Sequence, residues 1–143
     1  MLNIVATPTS MRFKGTGTGN YTTSSPTFTP VDSTNLKYVL IIPIGWKLII
    51  NASGQVGNNT GTPVAGAAVA IFDGSTVLHA IGATSVSPGI TTPFALTSIV
   101  TGDGLSHTIE LQFATGNIAD ACVISNVSGN LVPVMTCFLT PSN

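Results

Sequence analysis

Along residues 36–142 apolar and polar positions alternate with a period near two, in about eight short runs punctuated by Gly, Pro, Asn, Asp and Ser, which predicts strands rather than helices. Residues 36–56, LKYVLIIPIGWKLIINASGQV, carry the strongest pattern. They read as two strands joined through Pro43, Ile44 and Gly45, where Pro presets the first turn angle and Gly takes the left-handed position. As a hairpin this places Ile42 beside Trp46, Leu40 opposite Leu48, Tyr38 opposite Ile50 and Leu36 opposite Ala52, all on a core-facing side. The other side interleaves Lys37, Lys47 and Asn51 with Val39, Ile41 and Ile49. That mixture is too polar for a core and too apolar for plain solvent, so a second sheet, a neighbouring subunit or the chain's own arm is expected to cover part of it.

The remaining runs follow in order. A polar loop is read over residues 54–63, and then AGAAVAIF and STVLHAIGA flank Asp73-Gly74, a strong hairpin signal. A second loop at 85–93 leads to FALTSIV, which ends at Gly102-Asp103-Gly104. LSHTIELQF alternates with Leu105, His107, Ile109, Leu111 and Phe113 inward and Ser106, Thr108, Glu110 and Gln112 outward. After ADACVISNV and a Ser128-Gly129-Asn130 turn, LVPVMTCFL is apolar on both faces. Leu131, Pro133, Met135, Cys137 and Leu139 form one face, and Val132, Val134 and Phe138 the other, so this strand is expected between two layers. Residues 1–34 have few apolar positions and no period, and include a Gly-Thr-Gly-Thr-Gly run at 15–19. They read as an extended N-terminal arm that stays disordered or lies across another surface, anchored by Phe13, Tyr21 and Phe28. The chain thus divides into an arm, residues 1–34, and a β-sandwich domain, residues 35–143.

Composition narrows the function. Charged residues are 6% of the 143 and hydrophobic residues 43%, with a mean hydropathy of +0.48, so the surface is neutral and built from Thr, Ser, Asn and Gly. A net charge of −1 and four cations, Arg12, Lys14, Lys37 and Lys47, leave little to neutralise a phosphate backbone, and no nucleic-acid partner is expected. The most apolar run, residues 38–46, is short and interrupted by Pro43, so no membrane partner is expected. Residues 1–14 lack the pattern of a secretory signal, which points to a chain made and kept inside a cell or released by lysis. Sequons at Asn20, Asn51, Asn58 and Asn126 are what a chain rich in Asn, Ser and Thr contains by chance.

Candidate chemistry is sparse. His79 and His107 have no ligand set at metal-binding spacing, and His107 reads as a hydrogen-bonded residue on the inward face of its strand. Asp73 and Asp103 sit in predicted turns, where Asp serves as a side-chain cap, and Asp32, Glu110 and Asp120 show no pairing in sequence. With no nucleophile elbow, phosphate loop or paired-acid motif, the expectation is a protein that is not an enzyme, with no cofactor, no metal and no small-molecule substrate. A two-residue loop at Gly129 and Asn130 sets Cys122 opposite Cys137 and invites a disulfide, but pairs Asn126 with Pro133, which has no amide proton to donate. Two buried thiols are the preferred reading.

The succession IPIGWKLIINASGQV, VAIFDGSTVLHAIGAT and PFALTSIVTGDGLSHTIELQF resembles small phage virion proteins of the TNF/C1q-like group, including capsid decoration proteins and fibre-tip domains. The likeness runs over residues 36–139 and rests on turns and apolar strands. It implies an all-β, two-sheet antiparallel jelly-roll sandwich, assembled as a homotrimer about a three-fold axis. It further implies a capsid decoration protein bound to the major capsid protein on the virion's capsid surface, made in the host cytoplasm, with the arm contacting a neighbour. Tyr38, Leu40, Val132, Val134 and Phe138 are the expected axis-lining residues. The alternative is a glycan- or receptor-binding tip of a tail fibre or spike, using the loops at 54–63 and 85–93. In such jelly rolls many consecutive strands cross between the sheets, whereas the turn signals alone give hairpins at 43–45 and 102–104.

Overall fold

Eleven strands and no helix make up the described residues, 9–58, 66–84, 90–116, 121–127 and 132–142, of this computed structural model. In chain order they are β1 (Thr9–Lys14), β2 (Tyr21–Thr23), β3 (Thr29–Pro30), β4 (Lys37–Ile41), β5 (Trp46–Asn58), β6 (Gly66–Asp73), β7 (Thr76–Thr84), β8 (Thr91–Thr101), β9 (Ser106–Thr115), β10 (Cys122–Ile124) and β11 (Val134–Pro141). They form two antiparallel sheets. In the six-stranded sheet the long β5 pairs with β8 along one edge and with β11 and β10, end to end, along the other. Beyond these, β1 pairs with β11 and β2 with β10. In the five-stranded sheet the order β7, β6, β9 continues to β3 and β4, which share the far edge of β9. The result is an all-β sandwich of jelly-roll type.

Period-two patterning accounts for the core. On β5, Leu48, Ile50 and Ala52 are buried while Asn51 and Ser53 face solvent. They meet Val69, Ile71, Ile109, Leu111 and Phe113 of the opposite sheet, with Leu96 and Met135 filling in from β8 and β11. β6 is apolar on both faces because its outer side is also covered: the Phe28 ring packs edge-on against Phe72 with centroids 5.2 Å apart.

Residues 36–56 do not form the expected hairpin. β4 pairs with β9, so Leu40 stands opposite His107, while Leu48 of β5 stands between Leu139 and Val100 in the other sheet. The turn itself forms as read, with Trp46 N donating to Pro43 O at 3.0 Å and Gly45 at φ 81°. It passes the chain from one sheet to the other. The turn at 102–104 does the same between β8 and β9. The two crossovers lie side by side, tied by Gly102 N to Trp46 O (2.7 Å), Gly104 N to Ile42 O (2.9 Å) and Ile42 N to Leu105 O (3.3 Å). A Cβ on Gly102 would overlap the Pro43 carbonyl, so glycine alone allows this approach. The Asp73-Gly74 hairpin does form, joining β6 to β7 with Gly74 at φ 57°. The loop read from residue 54 begins later, since β5 runs on to Asn58.

Residues 9–30, read as an arm, supply three strands to the two sheets of their own chain. The Gly-Thr-Gly-Thr-Gly run wraps the side chain of Asn126, which is 1% exposed. Its amide donates to Thr16 Oγ1 (3.0 Å) and Gly19 O (2.8 Å), its Oδ1 accepts from Gly17 N (2.9 Å), and its main-chain oxygen accepts from Gly19 N (3.0 Å). A Cβ at Gly15 would collide with the same Oδ1.

Cys122 and Cys137 are buried free thiols. They do not face each other: Cys122 pairs with Asn58 and Cys137 with Ile50 on the same edge of β5. Eight residues of strand separate those partners, about 27 Å at a strand's rise, well beyond disulfide reach.

Candidate interaction surface

The residues expected to line an axis do not share one surface. Tyr38 and Leu40 lie on β4 in the five-stranded sheet and pack inward against the core, Tyr38 against Phe13 with ring centroids 5.0 Å apart. Val134 and Phe138 lie on β11 and face outward from the six-stranded sheet, their β11 neighbours Met135 and Cys137 being buried. Val132 precedes that strand and is half-buried.

Register shows what accompanies Phe138. Ile49 pairs with Phe138 on one side and with Ile99 on the other, so the three side chains stand in a row across the outer face. Ile99 is 58% exposed and Phe138 38%. The flanking rows are polar: Lys47 with Thr101 and Thr140, and Asn51 with Thr97, Thr136 and, beyond it, Arg12. The signal for this row was present in sequence, in the outward parity of Ile49, but Ile99 and Phe138 join it only through a pairing that turn signals cannot supply. A second apolar group, Ile41 (63% exposed), Ile44 (79%) and Leu105 (66%), occupies the corner where the two crossovers meet. Leu105, read as inward, is therefore outward, because β9 starts one residue later.

The arm residues are all engaged within the chain. Besides the Phe13–Tyr38 and Phe28–Phe72 contacts, Tyr21 donates its hydroxyl to Asp32 Oδ2 at 2.6 Å. Asp32 also accepts from Thr34 N (3.0 Å), Asn35 N (2.8 Å) and Asn35 Nδ2 (2.9 Å). Burial pushes its carboxyl up, but these donors outweigh that and hold it down to about 2. The rigid turn at Thr34 and Asn35 forms one wall of an open cleft of about 360 Å³, whose other wall is Arg12, Phe13, Lys14, Gly15 and Thr16.

Folding also assembles one ionic cluster that sequence spacing did not show. His107 Nδ1 lies 2.6 Å from Asp73 Oδ2 and its Nε2 lies 3.1 Å from Asp103 Oδ1. Asp73 Oδ1 accepts from Thr108 N (3.1 Å), and Asp103 Oδ1 from Leu105 N (2.7 Å). The Asp73 bond, opposed by burial and helped by Asp103, raises the His107 pKa; the Leu105 amide, then His107, lower that of Asp103. With both ring nitrogens committed to carboxylates, the imidazole is a clamp between the β6–β7 turn and the β8–β9 turn, not a free base. His79, by contrast, reaches from β7 to Thr97 O on β8 at 2.7 Å and bridges the sheets. Among the described residues no group of three metal-ligating side chains, the Asp73–His107–Asp103 cluster included, is arranged to hold a metal ion. Of the loops expected to bind a glycan, residues 59–63 and 85–89 lie outside the described residues.

No family model and no curated protein matches the chain. Among solved structures it is similar to VP2 of infectious bursal disease virus in a subviral particle, at a TM-score of 0.45 and 12% identity over 95% of this chain and 37% of that one. T=1 particles derived from the same virus give 0.49 and 12%, covering 94% and 36%. A Bacillus endospore appendage that forms disulfide-linked pili gives 0.37 and 16%, covering 95% and 87%. The chain spans about a third of the length of the viral capsid proteins. All these scores lie below 0.5, so the fold assignment rests on the strand pairing above and not on these neighbours.

Proposed function

We propose that the chain is a non-enzymatic structural protein of a virus particle: a homotrimeric phage capsid decoration protein of the TNF/C1q-like type that binds the major capsid protein and stabilises the shell. The observation that carries this reading is the Ile99–Ile49–Phe138 row, an apolar stripe on the outer face of the larger sheet of a chain with 6% charged residues. A monomer gains nothing from holding such a stripe in water, whereas a copy packed on it removes it from solvent. Val134, on the same face, lies beyond the polar row of Thr136 and Asn51 and stands apart from the stripe, while Tyr38 and Leu40 are already used by the core and drop out of the interface. The crossover corner with Ile41, Ile44 and Leu105 stays free for the larger particle. A surface this neutral binds through buried area, which salt screens little. The arm reaches a neighbouring protein of the shell through its outer edge, because its inner edge is paired with β11 and β10.

The test uses undecorated shells of the virus that encodes the chain, melted with and without the purified protein. A rise in shell melting temperature that saturates at a fixed ratio of chain to shell subunit is expected; absence of binding contradicts the proposal.

A further inference from the structure

The open side of the sandwich carries a second feature that the apolar stripe does not explain. β1 is an edge strand, paired among the described residues only with β11. Gly15 N donates to Pro133 O, which continues the β1–β11 ladder and fixes its phase. In an antiparallel pair alternate residues point their N–H and C=O to the same side, so the main-chain groups of Ser10, Arg12 and Lys14 point away from β11 and bond to no other described residue. The side chains of Arg12 and Lys14 are exposed and make no ion pair among the described residues, although they are half of the chain's four cations. Their edge faces the Thr34–Asn35 turn across the cleft, and that turn is held by Asp32, whose oxygens are taken by four donors.

An unpaired edge, a facing wall and two cations at alternate positions form the complement of an extended acidic strand. We infer that the free edge of β1 is a docking site for an extended segment of a partner protein bearing carboxylates at alternate positions, added to the sheet as a further strand. Arg12 and Lys14 are two residues apart, about 7 Å along the strand, the spacing of carboxylates on one face of a paired segment. Cross-strand charge pairs set its register, and main-chain bonds to Ser10, Arg12 and Lys14 hold it. A second copy of this chain does not fit: none of its five acids, Asp32, Asp73, Asp103, Glu110 and Asp120, stands two residues from another. The site belongs to a single chain and does not require the trimer.

The test is a fluorescence anisotropy titration of the full-length protein with a short, capped, labelled peptide of alternating Thr and Glu. Saturable binding at low salt is expected, weakened about tenfold or more with the Thr-Gln peptide and with the double variant Arg12→Gln/Lys14→Gln. Of two peptides N-methylated at complementary alternate residues, one retains binding and the other loses it, as strand addition requires. Absence of binding by the Thr-Glu peptide overturns the inference. So do equal affinities for the Glu and Gln peptides, equal effects of the two N-methylation patterns, or competition by oligothymidylate as effective as by unlabelled peptide. If the double variant instead lowers the molar mass of the protein alone, the occupant is a second copy and the acidic partner is wrong.

Discussion

Asn126 shows how much a single side chain organises here. Read in sequence it is one of four sequon asparagines beside a glycine-rich stretch that looks like linker. In the fold its amide is the peg around which residues 15–19 are moulded. Asn126→Ala removes three side-chain hydrogen bonds and leaves the half-buried Gly17 N–H without that acceptor, and a cost of about 1–3 kcal/mol is expected in denaturant unfolding, with faster amide exchange across β1 and β2. His107 makes the stability pH-dependent. Its folded pKa is raised above 6.5, so its contribution is complete below 6.5 and is lost as pH rises through the folded value. Asp32 and Asp103 act oppositely: their contributions are present above 3.8 and are lost as pH falls below it, towards about 2 for Asp32. Melting temperature is therefore expected to be highest between 3.8 and 6.5, and His107→Gln is expected to flatten the alkaline limb and, by removing one of the groups that hold Asp103 down, to soften the acid limb as well. Burial pushes both thiols up to about 12, so neither Cys122 nor Cys137 is expected to react with a thiol reagent at mildly alkaline pH until the protein unfolds.

At the scale of elements, the strands were legible and their partners were not. The apolar runs located β4 to β11, because burying one face of a strand imposes a period of two whichever sheet receives it. That same indifference is why the turns at 43–45 and 102–104 read as hairpins: a reversal fixed by Gly45 or Gly104 is compatible with pairing or with crossing. What decides is the contact between the two turns, a long-range fact centred on Gly102. Residues 9–30 gave no strand signal for a related reason, since short strands such as β2 and β3 draw their stability from the edges they join. Likewise the Asp73–His107–Asp103 clamp joins turns that lie far apart in sequence. Gly102→Ala is expected to cost on the order of 3 kcal/mol or more, since the methyl meets main chain that cannot yield. Gly74→Ala, at a hairpin tip with nothing within 4 Å, is expected to cost only the strain of its φ, about 1–2 kcal/mol. Thermal melts of the two variants side by side check this ordering.

For the whole molecule, the two outer faces differ. The five-stranded sheet is partly roofed by its own chain through Phe28 on Phe72, and its exposed Val39 and Ile41 stand opposite Thr108 and Ser106, while the six-stranded sheet lines up Ile99, Ile49 and Phe138 in one apolar row across three strands. That asymmetry is the reason to assign association to the larger sheet, and it makes the account testable without knowing the partner. The measurement is the molar mass of the full-length chain by light scattering after size exclusion, with Ile99→Lys/Phe138→Lys measured beside it. The account predicts a trimer for the native chain and a monomer with an unchanged circular dichroism spectrum for the double variant. A native chain that stays monomeric at every accessible concentration, or a trimer indifferent to both lysines, contradicts it.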